Sequence, residues 1–189
     1  LYEYGMFRQQ IEDGYQQEEP DHWLLHGNPW ELERPEFVQR VHFGGRVEYV
    51  SEPNGEMKVR WVDTDDVLAL PYDIPVPGYQ NGTVNTLRLW KAVATEEFNF
   101  EQFNAGDYTG SVQSKNLAEN ITMVLYPNDV TEMGKELRLR QQYFLASAGI
   151  QDVMRRWQRS HGSDFSQFAE KNCFQLNDTH PAVTVAELD

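Results

Sequence analysis

Apolar and polar residues alternate over most of the chain between residues 37 and 91, as they do in half-buried β-strands. The first three alternating runs are separated by the pair Gly44-Gly45 and by the turn dipeptide Asn54-Gly55. Prolines between residues 71 and 77 exclude a helix there and favour an extended segment. The pattern therefore predicts an antiparallel meander of five strands, at residues 37–43, 46–50, 57–62, 66–72 and 83–91.

The first 36 residues show no sustained period of either kind. Gly14, Pro20 and the run Gly27-Asn28-Pro29 interrupt every candidate helix after a turn or two. We expect one short strand here, followed by loops that aromatic side chains hold together.

Helical spacing begins after Phe103. Residues 106–123 contain few breakers, an acid near the start and mixed polarity, which favours a helix that faces solvent or a partner. A clearer apolar stripe follows, in steps of three and four residues. Its members are Leu139, Tyr143, Ala146, Ile150, Val153 and Trp157. The opposite face is polar and carries Gln142, Gln151, Asp152, Arg155 and Arg159.

The last part of the chain is a polar connector at residues 160–171 and a short apolar run at 173–176, which is typical of a buried strand. Antiparallel strands followed by two long helices and a short strand indicate an α+β fold. With 189 residues, of which 40% are hydrophobic and 13% aromatic, the chain suffices for one domain core or part of one.

Composition bears on the partners and the compartment that can be expected. A formal charge of -14 argues against nucleic acid, because phosphate-backbone affinity is carried by Lys and Arg. Cys173 is the single cysteine, so no internal disulfide forms, and we expect a cytoplasmic protein. No stretch approaches the roughly 20 apolar residues that span a bilayer. The sequence also lacks Cys/His spacings typical of metal sites, so we expect no metal.

An acid and an imidazole lie close together near the end of the chain, in the run QLNDTHP. Asp178 and His180 follow the predicted short strand, and ligands collect at the carboxyl ends of strands in open α/β sheets. On residue types alone a structural interpretation is favoured, in which Asp178 caps a helix that begins near Pro181 and His180 is packed. The residues alone leave both interpretations open.

Two further polar groups have both a functional and a structural interpretation. Asn128 and Asp129 lie on a loop between the predicted helices, where a mobile element could close over a substrate, but both residues are also common in turns. Arg155 and Arg156 could bind an anion or could complement the dipole of a helix end. From the residues alone, the chain is an acidic α+β domain that could bind a polar ligand.

Seven collinear stretches resemble the glycogen (α-glucan) phosphorylases, and they are spread over the chain from residue 4 to residue 183. They read YGMFRQQIEDGYQ, HGNPWELERPEF, VHFGGRVE, VLALPYDIPVPGYQNGTVNTLRLW, NLAENITMVLYPND, GKELRLRQQYFLASAGIQDVMRRW and QLNDTHPAV. The resemblance implies that residues 1–189 are an interior fragment of the N-terminal, Rossmann-like domain of a two-domain GT-B type glycosyltransferase.

The resemblance also implies an activity for the full-length parent. Members of the family are homodimers that release glucose 1-phosphate from α-1,4-glucan with inorganic phosphate. Their pyridoxal phosphate is held by a lysine of the C-terminal domain, which residues 1–189 do not include, so we expect this fragment to bind no cofactor and to be inactive alone. The alternative is a non-catalytic module that binds glucan or assembles subunits.

Individual positions acquire expected roles through the resemblance. Asp178 and His180 match residues that line the glucosyl pocket, while Asn128 and Asp129 match the gate loop that covers its entrance. Val130 stands where many animal enzymes have an asparagine that contacts glucose, so that contact is not expected here.

The dimer interface and an anion site are implied in the same way. The segment Gly106–Asn120 matches a helix that contacts the partner subunit, with Tyr108 and Pro127 at the interface. Four arginines match residues that gather around a nucleotide or a phosphorylated tail in regulated animal enzymes, although unregulated relatives also have them. They are Arg34, Arg88, Arg155 and Arg156. Helix-end charge and dimer salt bridges are the alternatives for these arginines.

Overall fold

The structure is a computed structural model, and it describes residues 3–96, 98–124 and 127–174. Its strands are β1 (Phe7–Glu12), β2 (Tyr15–Pro20), β3 (Leu32–Glu33), β4 (Gln39–Phe43), β5 (Arg46–Ser51), β6 (Met57–Val62), β7 (Asp65–Pro77) and β8 (Val84–Ala94). Its α-helices are α1 (Phe100–Asn104), α2 (Gln113–Met123), α3 (Glu132–His161) and α4 (Phe168–Lys171), and short 3-10 turns occur at Pro35–Phe37 and Gly110–Val112.

Strand β7 is the centre of the main sheet. It pairs along one edge with β8, and along the other edge with β4 over its first part and with β3 further on, always antiparallel. The predicted strands are present, but the predicted meander is wrong, because β5 pairs with β6 in a separate two-stranded ribbon. Gly44 and Gly45, both at positive φ, turn the chain out of the sheet after β4.

A proline-containing strand at the centre of a sheet needs an explanation, because proline donates no hydrogen bond to the ladder. The carbonyl of Pro71 accepts from the backbone N–H of Arg34, 2.9 Å away, on the side of β3. The N and O atoms of one strand residue point the same way, so the missing N–H faces the gap where β4 has ended and β3 begins. Strand β7 therefore continues to Pro77 instead of ending near residue 72 as the sequence pattern predicts.

The first 36 residues are more regular than predicted. In place of one strand and loops, β1 and β2 form a hairpin around Asp13 and Gly14, both at positive φ (51° and 84°). Such φ values suit the tight two-residue turns that the Asp-Gly pair favours. The sequence pattern marks Gly14 only as a helix breaker and does not predict the hairpin.

Helix α2 begins at Gln113, and the helix predicted from residue 106 is wrong in its first turns. The Asp107 carboxylate accepts from the backbone N–H of Gly110 at 2.8 Å, which closes a turn ahead of the 3-10 segment. One face of α2 also packs on β8: Ile121 is buried there, and the backbone N–H of Ala92 donates to the Thr122 hydroxyl, 3.1 Å away. The helix is therefore less exposed than its sequence suggested.

The long helix predicted from the apolar stripe is confirmed: it is α3, and its length is about 45 Å. Its buried face is displaced from that stripe, however, since Leu139 is 44% exposed. The buried positions are Gln141, Phe144, Ala148, Asp152 and Trp157. Asp152 was assigned to the solvent face, and that assignment is wrong. Gln141 and Asp152 are polar, so the buried face does not show a continuous hydrophobic period in the sequence.

The core lies between the main sheet and helices α2 and α3, which agrees with the α+β class. Beyond α3, the connector at 160–171 contains α4, whose Phe168 packs edge-on against Trp157. Cys173 is exposed and lies in no strand, so the strand predicted at 173–176 is wrong as far as residue 174, and its remainder lies outside the described residues. No helix in the described part is long and apolar enough to cross a membrane.

Candidate functional site

The four arginines expected to meet an anion come together in space, although they belong to three separate stretches of chain. Arg34 precedes a 3-10 turn, Arg88 lies on β8, and Arg155 and Arg156 lie near the end of α3. They converge on two aspartates, one on β7 and one on α3. We call this group the arginine cluster: Arg34, Arg88, Arg155 and Arg156 with Asp73 and Asp152.

Arg88 is the centre of the arginine cluster. It faces Asp73 directly in the β7–β8 register, and its Nε and Nη2 atoms each donate to that carboxylate at 2.8 Å. Its Nη1 atom donates to Asp152 at 2.9 Å. Because its guanidinium hydrogen-bonds to Asp73, the pKa of that carboxyl lies below its usual range, and the pKa of Arg88 is raised in turn. Arg88 and Asp73 therefore form a two-point ion pair, which fixes the guanidinium plane.

Asp152 binds three arginines and is only 3% exposed. Beside its bond from Arg88, it accepts from Arg155 at 2.7 Å and forms an ion pair with Arg156, whose Nη2 atom lies 2.8 Å away. The two helical arginines follow Asp152 by three and four residues, which places all three on one face of α3. That spacing is the sequence signal that could have identified Asp152 as a member of the cluster.

The Phe37 ring packs against three arginines of the cluster, and the sequence pattern did not predict this contact. The guanidinium carbons of Arg34, Arg88 and Arg155 lie 4.7, 5.0 and 4.3 Å from its centroid, within the range of cation–π contact. Arg156 has the most exposed side chain of the four arginines, at 56%. Any anion arriving from solvent would therefore meet Arg156 first.

Asn128 and Asp129, the residues expected to form a gate, lie just before the start of α3. The Asn128 side chain accepts from the backbone N–H of Val130 at 2.8 Å, and Asp129 pairs with Arg138 at 2.6 Å. A side chain at Gly134 would overlap the Asn128 carbonyl, because the loop crosses the helix there. Both Asn128 and Asp129 are exposed, and the turn interpretation accounts for Asn128.

The two expected interface residues differ in exposure. Tyr108 is 64% exposed and has its ring edge-on to Phe103 at 4.9 Å, while Pro127 is half-buried. Tyr108 lies in the turn before α2 and not within a helix.

A cleft of about 750 Å³ opens between the strand ends of the main sheet and helices α2 and α3. Its wall includes Arg40, Asp66, Leu117, Ile121 and Arg140. No lysine occurs among the described residues that line it. Both the strands and the helices contribute apolar and charged side chains to this lining.

At the edge of the cleft, Asp66 receives hydrogen bonds from several directions. Thr64 Oγ1 donates to it at 2.6 Å, Arg40 donates at 2.8 Å, and His42 Nδ1 lies 2.6 Å from the carboxylate. These bonds, the one from Thr64 foremost, lower the pKa of Asp66 far below its ordinary value.

Comparison with known proteins identifies the family. The sequence profile of the carbohydrate phosphorylases matches residues 1–189. The chain belongs to the carbohydrate phosphorylase family. It is 55% identical to the liver form of glycogen phosphorylase from sheep (Ovis aries) and 53% identical to the human (Homo sapiens) liver form, over 99% of this chain and 22% of each relative. It is also 53% identical to the rat (Rattus norvegicus) brain form, over 99% of this chain and 23% of that relative. The chain thus spans less than a quarter of the length of these relatives.

The pocket residues expected in this phosphorylase chain, Asp178 and His180, lie outside the described residues. Of the expected site residues that the structure does describe, it brings the four arginines together. Asn128 and Asp129 bond to Val130 and Arg138 instead.

The lowered pKa of Asp66 in this phosphorylase chain predicts an acid-sensitive contribution to stability. A carboxyl whose folded-state pKa is depressed stabilises the protein above its unfolded pKa, about 3.9, and loses that effect as pH falls towards the folded value. Asp66→Asn should therefore lower the thermal midpoint by a constant amount above about pH 5, and the difference from wild type should shrink below about pH 4. Thermal unfolding of both proteins from pH 3 to 7 tests this; a difference independent of pH would contradict it.

Proposed function

We propose that the full-length parent of this chain is a cytoplasmic α-1,4-glucan phosphorylase that releases glucose 1-phosphate from glycogen, starch or maltodextrin with inorganic phosphate. The observation that supports this is the family match over residues 1–189, together with relatives at 53–55% identity that are glycogen phosphorylases. A non-catalytic glucan-binding or assembly module is less favoured, because the same match is continuous over the whole chain.

Within that enzyme, residues 1–189 would form part of a Rossmann-like N-terminal domain. Asp178 and His180 would line the glucosyl pocket and orient hydrogen bonds near the reacting sugar. Asn128 and Asp129 would form the gate, with the Asp129–Arg138 pair holding the loop against α3. Opening of the gate would then require this exposed ion pair to break, which costs little.

Pyridoxal phosphate, which the family implies, would be held by residues outside this chain. A lysine that forms a Schiff base with the cofactor must stand in a pocket large enough to hold it. The described lining of the 750 Å³ cleft has no lysine. Lys58, Lys91 and Lys135 each pair with a carboxylate instead. The described lining of this cleft therefore does not fit the cofactor, and no step of its chemistry is assigned to it.

The homodimer contact would involve the 3-10 turn and the outer face of α2. Tyr108 and Leu117 are 64% and 60% exposed, while Ala118 and Ile121 on the inner face are buried. A helix with one buried face and exposed apolar residues on the other can still meet a partner subunit. Pro127, at the end of the same connection, would complete the contact.

The arginine cluster would bind the phosphate of an anionic effector, with Arg156 making the first contact. Arg88 is engaged by both aspartates, whereas the Arg156 side chain is 56% exposed. Loss of one charge-assisted hydrogen bond is worth about 1.5–3 kcal/mol. In the full-length enzyme, Arg156→Gln should weaken the binding of a nucleoside monophosphate about tenfold or more.

Isothermal titration of that variant checks the effector proposal. Arg60→Gln, which changes an exposed arginine on the β5–β6 ribbon, provides a control of equal charge change. Equal affinity in wild type and Arg156→Gln would show that the cluster is only a structural ion-pair network.

The activity itself is tested by comparing two proteins. The full-length parent should release glucose 1-phosphate when glycogen and inorganic phosphate are both present, while residues 1–189 alone should release none. A full-length parent that binds glycogen without releasing the ester would support the non-catalytic module instead.

A further inference from the structure

Gly134 occupies a position in α3 where two local rules favour another residue. Thr131 caps the helix, and its hydroxyl accepts from the backbone N–H of Gly134 at 3.1 Å, so Gly134 is the third helical residue. In a capping box this third residue is Glu or Gln, whose side chain bonds back to the cap residue. Glycine makes no such bond, and apart from proline it is the poorest helix former. The start of α3 therefore does not account for a glycine here.

Backbone conformation does not account for it either. Gly134 lies within the helix and is not one of the glycines at positive φ, so other residues could adopt its backbone angles. What a larger residue would lack is space. A Cβ atom at this position would overlap the Asn128 carbonyl oxygen and would come within 3.3 Å of the Asp129 Cα atom. The missing side chain therefore allows the Asn128–Asp129 peptide to lie directly on α3.

A second contact holds the same stretch of chain to the same face of the helix. Arg138 follows Gly134 by four residues, which places both residues on one face of α3. The Nη1 atom of Arg138 donates to the Asp129 carboxylate at 2.6 Å. The loop thus meets α3 at two successive turns, through its backbone at Gly134 and through a side chain at Arg138.

We propose that Gly134 is the positioning residue of the gate, because it allows the loop of Asn128 and Asp129 to rest on α3 in the closed arrangement. The assignment of this loop as a gate rests on the proposed function of the parent. Gly134 itself touches no substrate and acts only through the loop that lies on it. A side chain at this position clashes in the closed arrangement alone, so it shifts the population towards the open one.

Three single variants of the full-length parent test this role. Gly134→Ala adds one methyl group that meets the Asn128 carbonyl. Gly149→Ala is the matched control, because it makes the same change in the same helix and its Cβ atom would meet no described atom within 4 Å. Arg138→Gln removes the ion pair and leaves the backbone contact in place. For each variant, kcat and KM are measured with a short maltooligosaccharide, and hydrogen exchange of residues 127–131 is measured by mass spectrometry.

Gly134→Ala should lower the KM for the oligosaccharide about threefold or more and keep kcat within a factor of about two, because apparent affinity rises with the fraction of molecules whose gate is open. Arg138→Gln should lower KM by a smaller factor. Hydrogen exchange of residues 127–131 should be faster than in wild type in both variants, while Gly149→Ala should match wild type in KM and in exchange. The two effects on KM should not be additive in the double variant, since both act on one contact.

An unchanged KM in Gly134→Ala would overturn the proposal even if the thermal midpoint fell, since the glycine would then serve only the packing of the helix start. An equal shift of KM in Gly149→Ala would overturn it as well. If Gly134→Ala does not fold, Arg138→Gln releases the same loop without a clash, and a wild-type KM in that variant would contradict the gate contact. Hydrogen exchange needs no turnover, so faster exchange in a parent without phosphorolysis would refute the proposed function and leave the loop contact at Gly134 standing.

Discussion

Asp152→Ala should lower the free energy of unfolding of this phosphorylase-family chain by about 3–5 kcal/mol, because removal of one partner from a buried ion-pair network leaves the others uncompensated. Three arginines converge on this carboxylate, whose side chain is 4% exposed. Arg88 would keep its bonds to Asp73, but Arg155 and Arg156 would lose the acceptor that holds them. We expect the thermal midpoint of the full-length protein to fall clearly.

Glu132→Ala is the matched control for this experiment. It also removes a carboxylate of α3 that pairs with a cation, Lys135, but its side chain is 89% exposed. Exposed pairs contribute about 0–1 kcal/mol, so the control should change little. Equal midpoints for Asp152→Ala and wild type would show that the arginine cluster does not depend on Asp152.

Asp178→Asn and His180→Ala should each lower the turnover of glucan phosphorolysis on the order of 100-fold in the full-length enzyme, with a much smaller effect on thermal stability. The expectation rests on their match to pocket residues of the family. Preorganised groups near a reacting centre commonly contribute effects of this size. Turnover and thermal midpoint are measured side by side for each variant.

The helix-cap interpretation makes the opposite prediction for the same two variants. If Asp178 only caps a helix and His180 only packs, His180→Ala should lower stability, Asp178→Asn should change stability little, and both variants should keep their turnover. Asn is itself a good cap residue, so Asp178→Asn separates the two interpretations cleanly. Intact turnover in both variants would remove Asp178 and His180 from the glucosyl pocket.

The strands were the part of the fold that could be predicted from pattern alone. Alternation marks every residue of a half-buried strand, which is why β4 to β8 were found. The pairing of these strands was not predictable in the same way. The chain leaves the main sheet after β4 and forms the separate β5–β6 ribbon, and this change of direction depends on the φ angles of Gly44 and Gly45. The pattern does not contain that information.

Helix boundaries and the buried faces of helices were harder to predict than strands, because polar residues contribute to both. Asp107 was interpreted as the start of a helix, but its carboxylate closes a turn, and α2 begins at Gln113. Gln141 is buried because its amide donates to the carbonyls of Ile121 and Val124, and Asp152 because arginines surround it. A hydrophobic stripe cannot reveal positions whose burial depends on hydrogen bonds to distant residues.

The arginine cluster was predictable only through resemblance to a family. Arg34 and Arg155 are 121 residues apart in sequence, and nothing local connects them. The resemblance named the four arginines but not the aspartates or the Phe37 ring that arrange them. Those required the β7–β8 register and the approach of α3 to the sheet.

The most direct test of the central claim is the identity of the product that the full-length parent makes from glycogen. Phosphorus NMR of a reaction with inorganic phosphate should show the phosphate signal falling as a glucose 1-phosphate signal rises, one ester for each glucosyl unit lost from the polymer. Free glucose without the ester, or no loss of phosphate at any enzyme concentration, would contradict the assignment of this chain to an α-glucan phosphorylase.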